Sequence, residues 1–244
     1  MKSFVRERYG HLAEADAFPP GGRARAREAG YPAGWLEGLP ARASGAYCGC
    51  GFSLEEVELT GAERILDLGC GAGLDARLAA ERLGTAGRPG TAEGLGTIGR
   101  VLALDMTVSM LARVRESAEG LPPGRVTPLA GDMERLPLRD GAFDLVLANA
   151  SLNLTIDKGR ALAEAARVLR PGGRLIAREL VREGELPVDI AQDPTAWNAS
   201  LGGVLEEAEW GALARAAGFA EVRISHHHPF PPVIAVRIEA RRGA

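Results

Sequence analysis

Apolar residues recur at a helical period near the start of the chain, where Phe4, Val5, Tyr9 and Leu12 predict a short amphipathic helix over residues 3 to 15. The prolines and glycines of "AFPPGGRARAREAGYPAGW" then break any regular pattern. Residues 1 to about 60 therefore read as an N-terminal cap on a unit that begins at residue 61. From there short apolar runs alternate with amphipathic ones. "ERILDLG", "RVLALDM", "RVTPLAGD", "FDLVLANA" and "RLIAREL" predict five strands, and "EVRISHHH" and "VIAVRIEA" two more. Between them lie helices with Leu74, Leu78 and Leu83 on one stripe, ending at Gly84, and with Val108, Leu111 and Val114 inward behind an N-cap at Thr107. Asp157 is expected to cap a further helix, with Leu162, Ala165 and Leu169 facing the core and "RPGG" as its stop. Trp210, Leu213 and Ala217 share a face of the last one. This alternation is the signature of an α/β fold, a mostly parallel seven-stranded sheet with helices on both faces.

Two stretches escape the pattern. Residues 183 to 206 are irregular, and residues 84 to 100, "GTAGRPGTAEGLGTIGR", are a glycine-rich link much longer than such a unit needs, read as a mobile surface loop.

Composition narrows the class. The 244 residues suit one α/β domain, 46% hydrophobic and 25% charged, with an ample core. A net charge of -3 and the lack of a basic extension speak against a nucleic-acid partner. No apolar run spans a bilayer and the opening residues lack the apolar stretch of a secretory signal, so the cytoplasm is expected. Cys48, Cys50 and Cys70 are too few and odd in number for a disulfide framework and read as free thiols. His226 to His228 alternate faces on a strand, with no carboxylate or cysteine at a matching spacing, so no metal is expected.

The chemistry concentrates in "LDLGCGAGLD". Gly69, Gly71 and Gly73 stand at alternate positions, but the dinucleotide fingerprint needs a small residue where this chain has Leu74. Asp67 would repel a pyrophosphate and suits a ligand carrying an ammonium group. A nicotinamide oxidoreductase is disfavoured on both counts. Asp105 ends the second strand, where a carboxylate can accept from both ribose hydroxyls, with Met106 beside it to pack on a base. Asp132 ends the third, placed to accept from an adenine amine with Met133 next to it, and Asn149 ends the fourth. Each aspartate alone is equally a turn residue or helix cap. Together they mark the carboxyl edge of successive strands, where open α/β sheets bind ligands.

At this point "ILDLGCGAGLD", "VLALDM", "AGDMERLPL", "FDLVLANASLNL" and "EAARVLRPGGRLI" resemble, in order, the motifs of class I methyltransferases that use S-adenosylmethionine. The resemblance implies a Rossmann-like fold in which the glycine turn, with Cys70, wraps the methionine part, Asp67 serves its amino group, Asp105 holds the ribose and Asp132 with Met133 addresses adenine. The flanks "VRERYG", "SGAYCGCG", "ANASLNL" and "GELPVDIAQDPTAWNASLGGVLEEAEW" are similar to the arsenite methyltransferase branch, whose thiolates hold trivalent arsenic. Cys50 matches the first of those thiolates, while Ala150 and Ser200 stand where the other two would be. The expectation is an enzyme with a different small-molecule acceptor. Arsenite held by Cys48 and Cys50 is the alternative, and a binding module without catalysis a third reading. On the acceptor side the candidates are Cys50, Asn153, Trp197, Asn198 and Ser200, with 183 to 206 as an insertion. Tyr9 can place its ring over a sulfonium. Glu179 is either a general base or the partner of a neighbouring arginine.

Overall fold

The computed structural model describes residues 2–14, 21–86, 99–191, 193 and 195–244. The opening segment is helical, with α1 (Lys2–Glu14), α2 (Gly22–Glu28), α3 (Ala33–Glu37) and α4 (Ala41–Gly45). Then come β1 (Arg64–Leu68), α5 (Leu74–Ala86), β2 (Arg100–Asp105), α6 (Val108–Ser117), β3 (Val126–Ala130) and β4 (Phe143–Asn149). The chain continues through α7 (Lys158–Val168), β5 (Leu169–Val181), α8 (Val188–Ala191), α9 (Glu207–Ala216), β6 (Phe219–Phe230) and β7 (Val233–Arg242). All seven strands form one sheet in the order β3-β2-β1-β4-β5-β7-β6. Pairs from β3 across to β5 are parallel, and β7 runs antiparallel to both its neighbours.

The central strands are short and apolar throughout because both their faces are covered. Alternation sorts their side chains. Ile65, Leu145, Leu147 and Ile176 face a layer made by Leu78 and Leu83 of α5, Leu111 and Val114 of α6, and the cap residues Tyr31 and Phe52. Leu66, Leu68, Val146 and Leu175 face the opposite layer, with Leu162 and Ala165 of α7 and Trp210 of α9. The cap is thus part of the core, and burial of Ala26, Tyr31 and Leu36 stabilises helices too short to persist alone. This is why the stretch between α1 and β1 holds three short helices where its sequence pattern predicts none.

Several expectations are corrected at the level of single residues. The inward stripe of α1 is Val5, Tyr9, Leu12 and Ala13, which leaves Phe4 59% exposed. In α6 the stripe is Met110, Leu111 and Val114, and Val108 in the first turn is 69% exposed. Helix α5 runs through Gly84 to Ala86. "RPGG" belongs to β5, which takes over directly at Leu169, so that residue is buried as a strand residue. Asp157 caps α7 by accepting from the Arg160 N–H at 2.8 Å. Thr107 occupies the N-cap of α6 without a side-chain cap bond, and Asp105 Oδ1 accepts its N–H at 2.8 Å.

In β6 the register shifts between Ser225 and His228, and His226 has a φ of +52°. That bulge removes the simple alternation expected of the three histidines. His227 Nε2 lies 2.7 Å from Glu207 and His226 Nε2 3.5 Å from Glu56. Residues 87–98 of the glycine-rich link lie outside the described residues. Among the described residues no helix is long and apolar enough to cross a membrane.

Candidate active site

Strand order reverses beside β1 and β4, and the two chains that leave those strands diverge to opposite sides, opening a crevice at their carboxyl ends. The groove there encloses about 1030 Å³, part of it open to solvent. Its floor comes from Asp67, Gly69, Cys70 and Gly71 after β1, Asp105 and Met106 after β2, Asp132 and Met133 after β3, and Asn149 at the end of β4. Tyr9, Tyr47 and Cys48 close it from the cap. Nearly the whole set expected around the donor therefore meets in one cavity.

The turn after β1 is built by its backbone. The Leu104 carbonyl accepts the N–H groups of Gly69 at 2.8 Å and Cys70 at 3.0 Å. Gly69 has a φ of +70°, and a Cβ there would lie 2.5 Å from Ser151 Cβ, so only glycine fits. At Gly71 a Cβ would meet nothing within 4 Å, because the groove lies on that side. Gly71 donates its N–H to Asp105 Oδ2 at 3.0 Å. Gly73 is different: it stands outside the groove, and the space beside it is filled by Val114 at 3.2 Å, so its role is the packing of α5 against α6. The Cys70 thiol, pushed up by burial and then by Asp105 and Asp67, points to the Gly71 carbonyl at 3.6 Å.

The acidic edge has one unpartnered buried oxygen among the described residues. Asp67 is 2% exposed, and its Oδ2 has no hydrogen-bond partner. Burial, with Asp75 and Asp105 nearby, holds its carboxyl well above the usual range. Burial also raises Asp105, against the N–H groups of Thr107 and Gly71 that favour its charge. A buried carboxyl oxygen left open beside two further carboxyls fits a ligand with a cationic N–H donor. At the outer end Lys2 Nζ reaches Asp132 at 2.6 Å and Glu134 at 2.7 Å. Against burial, which raises it, Lys2 and the Glu134 N–H keep Asp132 below the usual carboxylate range.

Asn149 lines the groove, but its side chain is committed elsewhere. Nδ2 donates to Asp75 Oδ2 at 2.9 Å and the Gly51 carbonyl at 2.8 Å, while Oδ1 accepts the Cys50 N–H at 3.0 Å. Asp75 also accepts from Tyr31 Oη at 2.6 Å and Ser53 Oγ at 3.1 Å. This buried network fastens the cap to α5 and β4. Asp75, Tyr31 and Ser53 are absent from the sequence-based candidates. A carboxylate in the first turn of an apolar helix was the one available signal, at Asp75.

The remaining acceptor-side candidates stand behind the groove wall rather than in it. The wall is the turn after β4, where Ala150, Ser151, Leu154 and Thr155 face the cavity. Glu179 is 0% exposed and accepts three backbone N–H groups, from Ser151 at 3.1 Å, Leu152 at 2.8 Å and Asn153 at 3.3 Å. These amides, not an arginine, are its partners. Asn153 Nδ2 donates to the Leu180 carbonyl at 2.9 Å, Trp197 Nε1 to the Leu154 carbonyl at 3.2 Å, and Ser200 Oγ to the Ala150 carbonyl at 3.1 Å. The Trp197 ring packs over Lys158 Nζ, 5.0 Å from its centre. The side chain of Asn198 lies outside the described residues.

The two neighbouring thiols part company. Cys48 opens to the groove, its thiol raised by desolvation and pulled back by Arg25 and Arg8. Cys50 is buried among Ala150, Leu180, Val204 and Val233, and burial with Glu179 nearby pushes its thiol well up. Burial likewise raises the Tyr9 phenol, which keeps its proton where it faces the groove.

A family described as a methyltransferase domain matches residues 59–218. The arsenite methyltransferase of Halobacterium salinarum is 31% identical over 177 residues, 72% of this chain and 42% of that protein. The arsenite methyltransferase of Aquipseudomonas alcaligenes is 32% identical over 206 residues, 80% of this chain and 56% of that one. The chain thus spans about half the length of the curated relatives it matches. Among solved structures, an arsenic(III) S-adenosylmethionine methyltransferase from Chlamydomonas reinhardtii superposes with a TM-score of 0.64 at 28% identity, covering 93% of this chain and 74% of that chain.

Proposed function

The chain belongs to the class I S-adenosylmethionine-dependent methyltransferases, in their arsenite-methyltransferase-like branch, and from that premise we propose that it methylates a small-molecule acceptor other than arsenite. The observation that carries the donor half is the buried Asp67 oxygen without a partner, in a groove whose glycine turn leaves open space at Gly71. Bound there, S-adenosylmethionine supplies a methyl group already activated on a positively charged sulfur.

The protein's share is positioning and exclusion of water. Asp67 takes the donor's ammonium. Asp105, preset by its bonds to Gly71 and Thr107, offers its remaining lone pairs to the ribose hydroxyls. Met106 and Met133 flank the base, and Asp132 accepts from its amine. Tyr9 presents its ring to the sulfonium end and keeps out solvent. Residues 1–60 act as the cap of the single domain that 61–244 complete. A net charge of -3 favours a small acceptor over a nucleic acid, and three unpaired cysteines favour the cytoplasm.

The acceptor half rests on Cys50, Ala150 and Ser200. With Cys50 packed in an apolar cluster and Ser200 bonded to the Ala150 carbonyl, the three positions that match the family's thiolates present no thiol to the groove, and the two thiols that line it, Cys48 and Cys70, come from the cap and the glycine turn. Arsenite, the substrate in the relatives' names, is the second reading, and Cys48 is the thiol that would serve it. Calorimetry with S-adenosylmethionine and with NAD tests the donor. Production of S-adenosylhomocysteine in a screen of thiols, phenols, amines and arsenite tests the acceptor, and turnover with arsenite alone would overturn the reading. Donor binding without transfer to any acceptor would make the chain a binding module.

A further inference from the structure

The turn after β4 forms the acceptor-side wall of the groove, yet residues 150–155 are neither strand nor regular α-helix, and their backbone groups need partners. The carbonyls are met by Ser200 at Ala150, Trp197 at Leu154, and Lys158 Nζ at Asn153 and Thr155, the last two at 3.2 and 3.1 Å. The amides of Ser151, Leu152 and Asn153 are met by one group, the carboxyl of Glu179. Ser151 in turn donates its hydroxyl to the Leu68 carbonyl at 2.6 Å and stands against Gly69, so the same turn touches the donor's glycine loop.

We propose that Glu179 is a positioning residue whose ionised carboxylate gathers the three amides after β4 and so fixes the wall shared by donor and acceptor. The inference rests on the methyltransferase reading for its consequence, but not for its geometry. Only the carboxylate can accept at both oxygens without offering a proton to a facing N–H; the acid form turns one oxygen into a donor against amides that are donors themselves. Burial opposes the charge and pushes Glu179 up to about 7, so the wall's order responds to pH in the neutral range. The groups around it are Lys158 on α7, which favours the charge, and Tyr9 and the Cys50 thiol from the cap, which stay neutral. Arg178, its neighbour on β5, is turned away to the Phe52 carbonyl and Glu55.

The test follows the amide resonances of Ser151, Leu152 and Asn153 by NMR from about pH 6 to about 8.5, beside calorimetric titration with S-adenosylhomocysteine over the same range. The three amides are expected to titrate together near neutrality and to lose hydrogen-exchange protection on the acid side. Affinity should fall about tenfold across that titration. In Glu179→Gln the titration of the amides vanishes and affinity stays at the low value, while Glu179→Asp restores part of both. If the wild-type amides do not titrate, or if Glu179→Gln binds as tightly as wild type at high pH, the proposal is overturned. If Glu179→Gln does not fold, the wild-type amide titration alone decides. Absence of any binding heat with the wild type at high pH would instead count against the methyltransferase reading.

Discussion

Ser200 donates its hydroxyl to the Ala150 carbonyl at 3.1 Å, and both residues hold left-handed backbone, with φ of 63° and 54°. Such a conformation costs a non-glycine residue about 1–2 kcal/mol, so the contact is sustained by the packing around it. Ser200→Ala removes the bond and keeps the conformation. A loss of about 1 kcal/mol is expected in urea denaturation, with donor affinity nearly unchanged.

The separation of the two thiols is open to chemistry. Cys48 faces the groove, whereas Cys50 is 7% exposed among apolar side chains. Alkylation of the folded protein with iodoacetamide, read by mass spectrometry, should modify Cys48 and spare Cys50 until the chain is unfolded. Protection of Cys48 by saturating donor would place the thiol at the reacting end of the cavity.

Asp105 organises the loop it would share with the ribose. Asp105→Ala removes that acceptor and also frees the N–H groups of Gly71 and Thr107. Calorimetry with S-adenosylmethionine should show affinity lower by about 10- to 100-fold. Cys50→Ser, on the far side of the wall, should leave that affinity nearly intact.

Asp67 links pH to stability. Its carboxyl is raised by burial and by Asp75 and Asp105, so the folded chain binds this proton more tightly than the unfolded one. The sign follows: stability falls as pH rises from the ordinary carboxylate range through the raised value. Asp67→Asn removes the charge and its cost. The variant should gain on the wild type in urea denaturation as the pH rises above the ordinary carboxylate range, while binding S-adenosylmethionine less well.

Much of this was readable from the chain. Strand–helix alternation carried the sheet, and the acids at the ends of β1, β2 and β3 carried the acidic edge of the groove, because their spacing is fixed by the same backbone geometry that makes the sheet. What failed to show was anything that depends on contact between distant segments. Tyr31 sits in a stretch rich in glycine and proline, and its bond to Asp75 spans 44 positions. Glu179 looked like a base or an arginine's partner because no local pattern announces that a carboxyl will serve backbone amides. Phe4 and Val108 matched a loose helical stripe, but the actual contact line of each helix is narrower and excludes them. Asn149 lines the groove, yet its amide belongs to the seam beneath the cap.

That seam limits how the chain can be rebuilt. Exchanging residues 1–60 for the corresponding segment of another methyltransferase would strip Asp75 of its tyrosine and serine donors in one stroke. A chimera designed to admit a bulkier acceptor must therefore bring its own hydroxyls to that carboxyl, or replace it by an apolar residue of similar volume. Grafting by surface shape alone would strand a charge in the interior.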